Sequence, residues 1–257
     1  MKKPKVLILR SAGTNCDFET ANALRFVGAE PRRVHVNEIK SGKTRLMNFD
    51  MLVIPGGFSY GDDVGAGRIL ANQVRLYLKD LRQFIRLGRP VMGICNGFQV
   101  LVKAGILPCS NTCEQTAGFT FNDSGRFEAR WVHVRINTQS SSLFFKGLPE
   151  MIELPVAHAE GKLVLKSPRQ LEELKKNKTI AMQYVSDDGK LSGYPFNPNG
   201  SIFNIAALSN PEGNCLGMMP HPERFTSIHH HPNWTRQTFH KEGVGLAMFR
   251  NAVDYCR

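Results

Sequence analysis

The chain has 257 residues, 42% of them hydrophobic, enough for a sizeable core in one large domain. Its net charge is +11, but the positive clusters are short (Arg32 with Arg33, and "KKNK" at 175–178) and no aromatic residues interleave with them, so they read as solvated faces and not as a nucleic-acid platform. No apolar run approaches the ~18 residues needed to span a membrane, and six cysteines scattered over this length (Cys16, Cys95, Cys109, Cys113, Cys215, Cys256) make no disulfide framework, so the expectation is a cytoplasmic protein with free thiols and neither membrane nor nucleic acid as partner.

The opening "MKKPKVLILRSAG" places lysines before an apolar run, but "VLIL" is shorter than a signal-peptide core of about 7–15 residues and reads as a first strand over 5–10. A helix follows, with Ala21, Leu24 and Val27 at helical spacing and Gly28 as its stop. "RRVHV" is a second strand and "DMLVIPGG" a third. Residues 68–88 read as one helix, with Leu70, Val74, Leu78, Leu81 and Ile85 on one face and Gly88 at the end. "PVMGI" is a fourth strand and "NGFQVLVKAG" a helix closed by Gly105. Continuous apolar strands alternating with helices imply a parallel sheet covered on both faces. The second half changes character: "RFEARWVHVRI", "KLVL", "TIAMQYV", "NIAALSN" and "NCLGMMP" are short strands, "SPRQLEELKK" a helix, and "GVGLAMFRNAVDYC" a last helix. No repeat, low-complexity tract or linker divides the chain, so the reading is a single α/β domain over 1–257: a central, mostly parallel sheet flanked by helices, with short additional strands in the second half.

Chemistry concentrates at "PVMGICNGFQVL", residues 90–101. Cys95 stands where a strand ends and a helix begins, with Gly93 and Gly97 two residues to either side. Thiolate is the nucleophilic form of cysteine, and a helix N-terminus favours it. G-x-C-x-G is the cysteine counterpart of the G-x-S-x-G elbow; the alternative is a buried cysteine beside helix-packing glycines. As an elbow it makes the Asn96 N–H one oxyanion donor. The glycine turn of "IPGGFSYGD" belongs on the same rim, since ligands bind beyond the carboxyl ends of parallel strands, and offers the Gly57 N–H as the second. A base is available in "GMMPHPERF": His221 just past an apolar strand, with Glu223 two residues on to orient it. The other histidines carry less. "HHH" at 229–231 reads as an exposed loop before it reads as a metal site, and His35 and His133 read as structural strand residues. "HAE" (158–160) with "PCSNTC" (108–113) superficially matches a zinc deaminase signature, but the order is reversed and the cysteines are one residue too far apart. Cys109 and Cys113 are therefore plain thiols, and no metal is expected.

With Cys95, His221 and Glu223 in this order, the chain resembles the class I (triad) glutamine amidotransferases, whose fold is flavodoxin-like. "GTNCD", "PGGFSYGD", "GICNGFQ", "FEARWV" and "PHPER", in order from residue 5 to the C-terminus, are together most similar to the glutaminase subunits of phosphoribosylformylglycinamidine synthase. The resemblance implies that Cys95 attacks the glutamine side-chain amide, His221 held by Glu223 shuttles protons, and Gly57 and Asn96 stabilise the oxyanion. It implies that Gly56, Phe58 and Gln99 contact substrate, with Asn122 and Arg126 serving the pocket or the partner. It further implies that ammonia passes to a large synthetase subunit, where ATP and Mg are used on formylglycinamide ribonucleotide, and that a small bridging subunit completes the enzyme. No G-x-x-x-x-G-K-[ST] loop is present, so no cofactor is expected on this chain.

Two departures stand out: Ser11 and Ala12 where the family often has an aromatic and a proline, and a segment between "PHPER" and the last helix that shorter members lack. Competing readings are a triad amidotransferase feeding another acceptor, against which "CNGFQ" and "GTNCD" speak, and a cysteine hydrolase of similar fold such as a peptidase or deglycase. The hydrolases usually have their histidine directly after the nucleophile, where Asn96 stands here. A non-enzymatic protein with a relic site is a third, opposed by the intact triad.

Overall fold

The computed structural model describes residues 3–108, 114–236 and 242–257, so the expectation for Cys109 and Cys113 lies outside the described residues. The first half alternates strand and helix: β1 (Lys5–Arg10), α1 (Asp17–Phe26), β2 (Glu30–His35), a short α2 (Val36–Lys40), β3 (Met51–Ile54), α3 (Arg68–Arg75), α4 (Leu78–Arg86), β4 (Val91–Ile94) and α5 (Asn96–Lys103). The second half is strand-rich: β5 (Ala117–Thr120), β6 (Glu128–Ile136), β7 (Met151–His158), β8 (Lys162–Leu165), α6 (Pro168–Lys176), β9 (Ile180–Val185), β10 (Ile205–Ser209), β11 (Cys215–Met218) and α7 (Val244–Tyr255).

Nine strands form one sheet in the order β2-β1-β3-β4-β11-β10-β9-β6-β7. From β2 to β11 every ladder is parallel; from β11 to β7 every ladder is antiparallel. Strands β3, β4 and β11 are buried at every residue, which is why they read as unbroken apolar runs. The additional strands thus extend the same sheet, apart from β5 and β8, which pair separately. The antiparallel half curls back over the parallel half: the His221 N–H donates to the Pro155 carbonyl of edge strand β7 at 2.8 Å.

One expectation fails. The helix anticipated over 68–88 is two helices, because Tyr77 leaves helical geometry (φ −119°, ψ 29°) and packs its ring against the core. No glycine or proline marks the break, and each piece keeps its own apolar face: Leu70, Ala71 and Val74 in α3, and Leu81, Phe84 and Ile85 in α4. Strands β5 and β7 were not anticipated either. Pro155 interrupts β7 and removes a donor, which an edge strand tolerates.

Packing fixes α5 against the sheet. Phe98 is fully buried, edge-on to Phe119 with ring centroids 4.9 Å apart, and lies where a Cβ on Gly217 would come within 2.1 Å of its ring. Truncating such a side chain to alanine costs about 3–5 kcal/mol.

Candidate active site

The C-terminal ends of β1, β3, β4 and β11 share one rim, since these four strands are parallel neighbours. Between β4 and α5 stands a single residue, Cys95, at φ 50° and ψ −105°. A non-glycine residue held there costs of order 1–3 kcal/mol. Neighbouring hydrogen bonds hold it: the Cys95 N–H donates to the Met218 carbonyl at 2.7 Å, and the Cys95 carbonyl accepts from Phe98 and Gln99 at 3.0 and 3.1 Å. The flanking glycines are required by contact. A Cβ on Gly97 would lie 1.8 Å from the Ile54 carbonyl oxygen, and one on Gly93 would lie 2.7 Å from the Gly97 carbonyl oxygen. The strained elbow read from the sequence is therefore present, and Asn96, as the first residue of α5, has an N–H with no intrahelical acceptor.

The second turn follows β3. Gly57 takes φ 147°, and Tyr60 and Asp62 take left-handed values of 56° and 55°. The Phe58 N–H is engaged by the Gly13 carbonyl at 2.9 Å, so among these neighbours it is the Gly57 N–H that remains for a ligand. Asn96 ties this turn to the elbow: its amide oxygen accepts from the Ser59 N–H at 3.4 Å, and its amide nitrogen donates to Asp62 Oδ1 at 3.2 Å and Gln99 Oε1 at 3.0 Å.

The base follows β11. Pro222 opens a short helical turn that returns Glu223 to the Nδ1 edge of His221. His221 Nδ1 and Glu223 Oε1 are 2.6 Å apart, so the proton sits on Nδ1 and is donated to the carboxylate. Nε2 is buried and has no partner among the described residues. Burial opposes the imidazolium, but Glu223 foremost, then Cys95 and Cys16, outweigh it and hold the His221 pKa well above its ordinary value. The Cys95 thiol donates to the Ala157 carbonyl at 3.7 Å.

A cavity of about 190 Å³ opens over Cys95, lined by Gly57, Phe58, Gln99, His158 and two carboxylates, Asp62 and Glu160, among others. Gln99 is fixed in its wall, donating to the Glu160 carbonyl at 2.6 Å. Burial, then the neighbouring Glu160, raises the Asp62 pKa. His158 is buried, which pushes its pKa down to about 3, with His221 adding to the effect.

Cys95, Gly57, Phe58 and Gln99 line the cavity, Asn96 ties the elbow to the Gly57 turn, and His221 and Glu223 form their buried pair after β11. Gly56 does not line the cavity; it lies under the His221 ring, where a Cβ would be 2.8 Å from Cε1. Asn122 is buried and holds His158, with its oxygen 3.1 Å from Nδ1, whereas Arg126 lines a separate surface groove with Tyr194. The 229–231 loop is only partly exposed: His231 is buried, packs edge-on to Trp131 at 4.5 Å, and pairs with Glu153 at 3.0 Å. Sequence reasoning missed Asp62, His158 and Glu160 in the cavity wall. The signals were "PGGFSYGD" and "HAE", the latter weighed only as a metal motif.

Residues 3–256 match the CobB/CobQ-like glutamine amidotransferase domain. The phosphoribosylformylglycinamidine synthase subunit PurQ of Dehalococcoides mccartyi is 46% identical over 259 residues, covering 100% of this chain and 99% of the relative. That of Archaeoglobus fulgidus is 40% identical over 269 residues, covering 98% and 96%. Among solved structures, PurLQS from Thermotoga maritima superposes with a TM-score of 0.75 and 26% identity over the whole of both chains. A glutamine amidotransferase of the same organism, 14% identical, shares the fold at a TM-score of 0.57.

Proposed function

Because the chain belongs to the CobB/CobQ-like glutamine amidotransferase family, we propose that the whole of it, residues 1–257, is one glutaminase domain of phosphoribosylformylglycinamidine synthase. It hydrolyses glutamine to glutamate and ammonia. The ammonia goes to a large synthetase subunit that converts formylglycinamide ribonucleotide to formylglycinamidine ribonucleotide, using ATP and Mg on that subunit. A small bridging subunit completes the enzyme. The observation that carries the reading is the convergence of a strained Cys95 elbow and a buried His221–Glu223 pair on one rim beside a cavity of glutamine size.

The roles follow from position. Glutamine enters with its side-chain amide over Cys95 and its α-ammonium toward the half-buried carboxylates of Asp62 and Glu160. On binding, the Cys95 sulfur turns from Ala157 to His221 Nε2, the kind of tightening expected between free and occupied sites. The thiol proton passes to His221 Nε2, the thiolate adds to the amide carbon, and the oxyanion is held by the N–H groups of Gly57 and Asn96. His221 gives its Nε2 proton to the departing ammonia and keeps its Nδ1 proton, hydrogen-bonded to Glu223, leaving a glutamyl thioester. Water, losing a proton to Nε2, adds to the thioester, and glutamate leaves as the Cys95 sulfur is released.

The test compares nitrogen sources in the assembled enzyme. Cys95→Ala is expected to abolish glutamine-dependent synthesis and leave ammonia-dependent synthesis intact. Equal loss with both sources would overturn the division of labour.

A further inference from the structure

The motif "GTNCD" helps carry the family resemblance, yet the mechanism above gives its cysteine no task. Cys16 caps α1 and is buried. Its backbone is joined to the oxyanion turn: the Cys16 N–H donates to the Gly56 carbonyl at 3.3 Å, and Thr14 and Gly57 form an antiparallel bridge. Its side chain is joined to the base. Sγ accepts from Arg224 Nη2 at 3.2 Å and donates to Asn15 Oδ1 at 3.2 Å. The sulfur, a His221 ring nitrogen and a Glu223 carboxylate oxygen lie within 4.8 Å of one another. Gly56 makes room for this meeting, since a Cβ there would be 2.8 Å from His221 Cε1 and 3.2 Å from Cys16 Sγ.

We propose that Cys16, clamped by Arg224, is a positioning residue for His221 that locks the base and the Gly57 turn into one rigid unit. Arg224 directly follows Glu223, so its grip on Cys16 fixes the same short turn that carries the carboxylate. The sulfur fills the space beside the ring; without it the imidazole has room to tilt away from the cavity. Cys16 does not line that cavity, so it is no second nucleophile. A metal ion is disfavoured as well, since it would meet the Arg224 guanidinium already on the sulfur and the 2.6 Å His221–Glu223 bond.

The inference rests on His221 being the acid–base group, and the test separates the two. Glutaminase kcat, KM and the pH dependence of kcat are measured for wild type, Cys16→Ala, Cys16→Ser and Arg224→Met. Small misplacements of a catalytic group cost up to about 100-fold, so Cys16→Ala is expected to lower kcat about 10- to 100-fold with KM nearly unchanged. Its alkaline limb should move to lower pH, because a group favouring the His221 cation is gone. Cys16→Ser, which keeps an acceptor for Arg224, should recover most of the loss. Arg224→Met should lower kcat in the same direction as Cys16→Ala with KM nearly unchanged, which keeps the test decisive if Cys16→Ala fails to fold. Wild-type kcat in Arg224→Met, or a loss in Cys16→Ser as large as that in Cys16→Ala, would overturn the proposal, as would a change in KM alone. A wild type that releases no glutamate with the synthetase subunit, its small partner and nucleotide present would instead overturn the proposed function.

Discussion

His221 donates its Nδ1 proton to Glu223 across 2.6 Å, in a site where both side chains are buried. This bond fixes the tautomer and stabilises the imidazolium against burial. Since the His221 pKa is raised, the imidazolium that in the proposed mechanism protonates leaving ammonia persists above pH 6.5 and is lost as pH rises through the raised value. Glu223→Gln leaves burial unopposed by its largest counterweight. The alkaline limb of kcat should then move to lower pH, with kcat reduced about 10²- to 10⁴-fold and KM little changed. An unmoved limb would remove Glu223 from the triad.

Gly97→Ala tests the elbow. The added methyl would meet the Ile54 carbonyl oxygen at 1.8 Å, a contact that no rotamer relieves because both partners are backbone. Either α5 lifts from β3 or Cys95 leaves its strained geometry. A loss of about 1–3 kcal/mol, typical of overpacking, should appear in thermal melting, together with loss of glutaminase activity. A variant with wild-type melting and turnover would contradict the close approach.

Acid stability tests His158. Its pKa is depressed to about 3 by burial, so the unfolded chain takes up its proton first as pH falls. The stability tied to neutral His158 is complete above about pH 6.5 and declines toward pH 3, by about 1.4 kcal/mol per pH unit while only the unfolded state is protonated. His221 has the opposite sign: its contribution is complete below about pH 6.5 and is lost as pH rises through its raised pKa. His158→Gln should flatten the acid slope in melting experiments between pH 6.5 and 5. An identical slope would mean that His158 is not held neutral.

Asp62 and Glu160 test substrate orientation. Both carboxylates line the cavity beside Cys95, and burial, then the neighbouring Glu160, raises the Asp62 pKa. Asp62→Asn should raise KM for glutamine about 10-fold or more, a hydrogen bond to a charged group being worth about 1.5–3 kcal/mol. It should leave the weak hydrolysis of glutaramate, which lacks the α-ammonium, nearly unchanged. Equal effects on both substrates would show that Asp62 supports the turn without reading the ammonium.

How much of this was legible in the sequence follows physical lines. The parallel strands β3, β4 and β11 are buried on both faces, so their apolar runs announce them. Gly93 and Gly97 flag the elbow because backbone contacts forbid any side chain there. Cys95 directly follows β4, and His221 and Glu223 lie in the short turn just past β11, where position along the chain fixes position on the rim. The antiparallel half obeys no such rule. Pro155 masks β7, and only the curl of the sheet brings His158 and Glu160 from its end to Cys95, 63 and 65 positions away in sequence. The break at Tyr77 has no glycine or proline to announce it, because both helical pieces satisfy the same apolar stripe. His231 looked like a loop residue until Trp131 and Glu153, distant in sequence, closed on it.

The central claim is that Cys95 is the nucleophile of a glutaminase. The most direct measurement is glutamate release from glutamine by wild type and Cys95→Ala, each with and without a synthetase subunit, its small partner and nucleotide. Glutamate formation is expected to rise with the partner present and to vanish in Cys95→Ala under every condition. Glutamate release at the wild-type rate by Cys95→Ala, or none by wild type in the complete mixture, would contradict it.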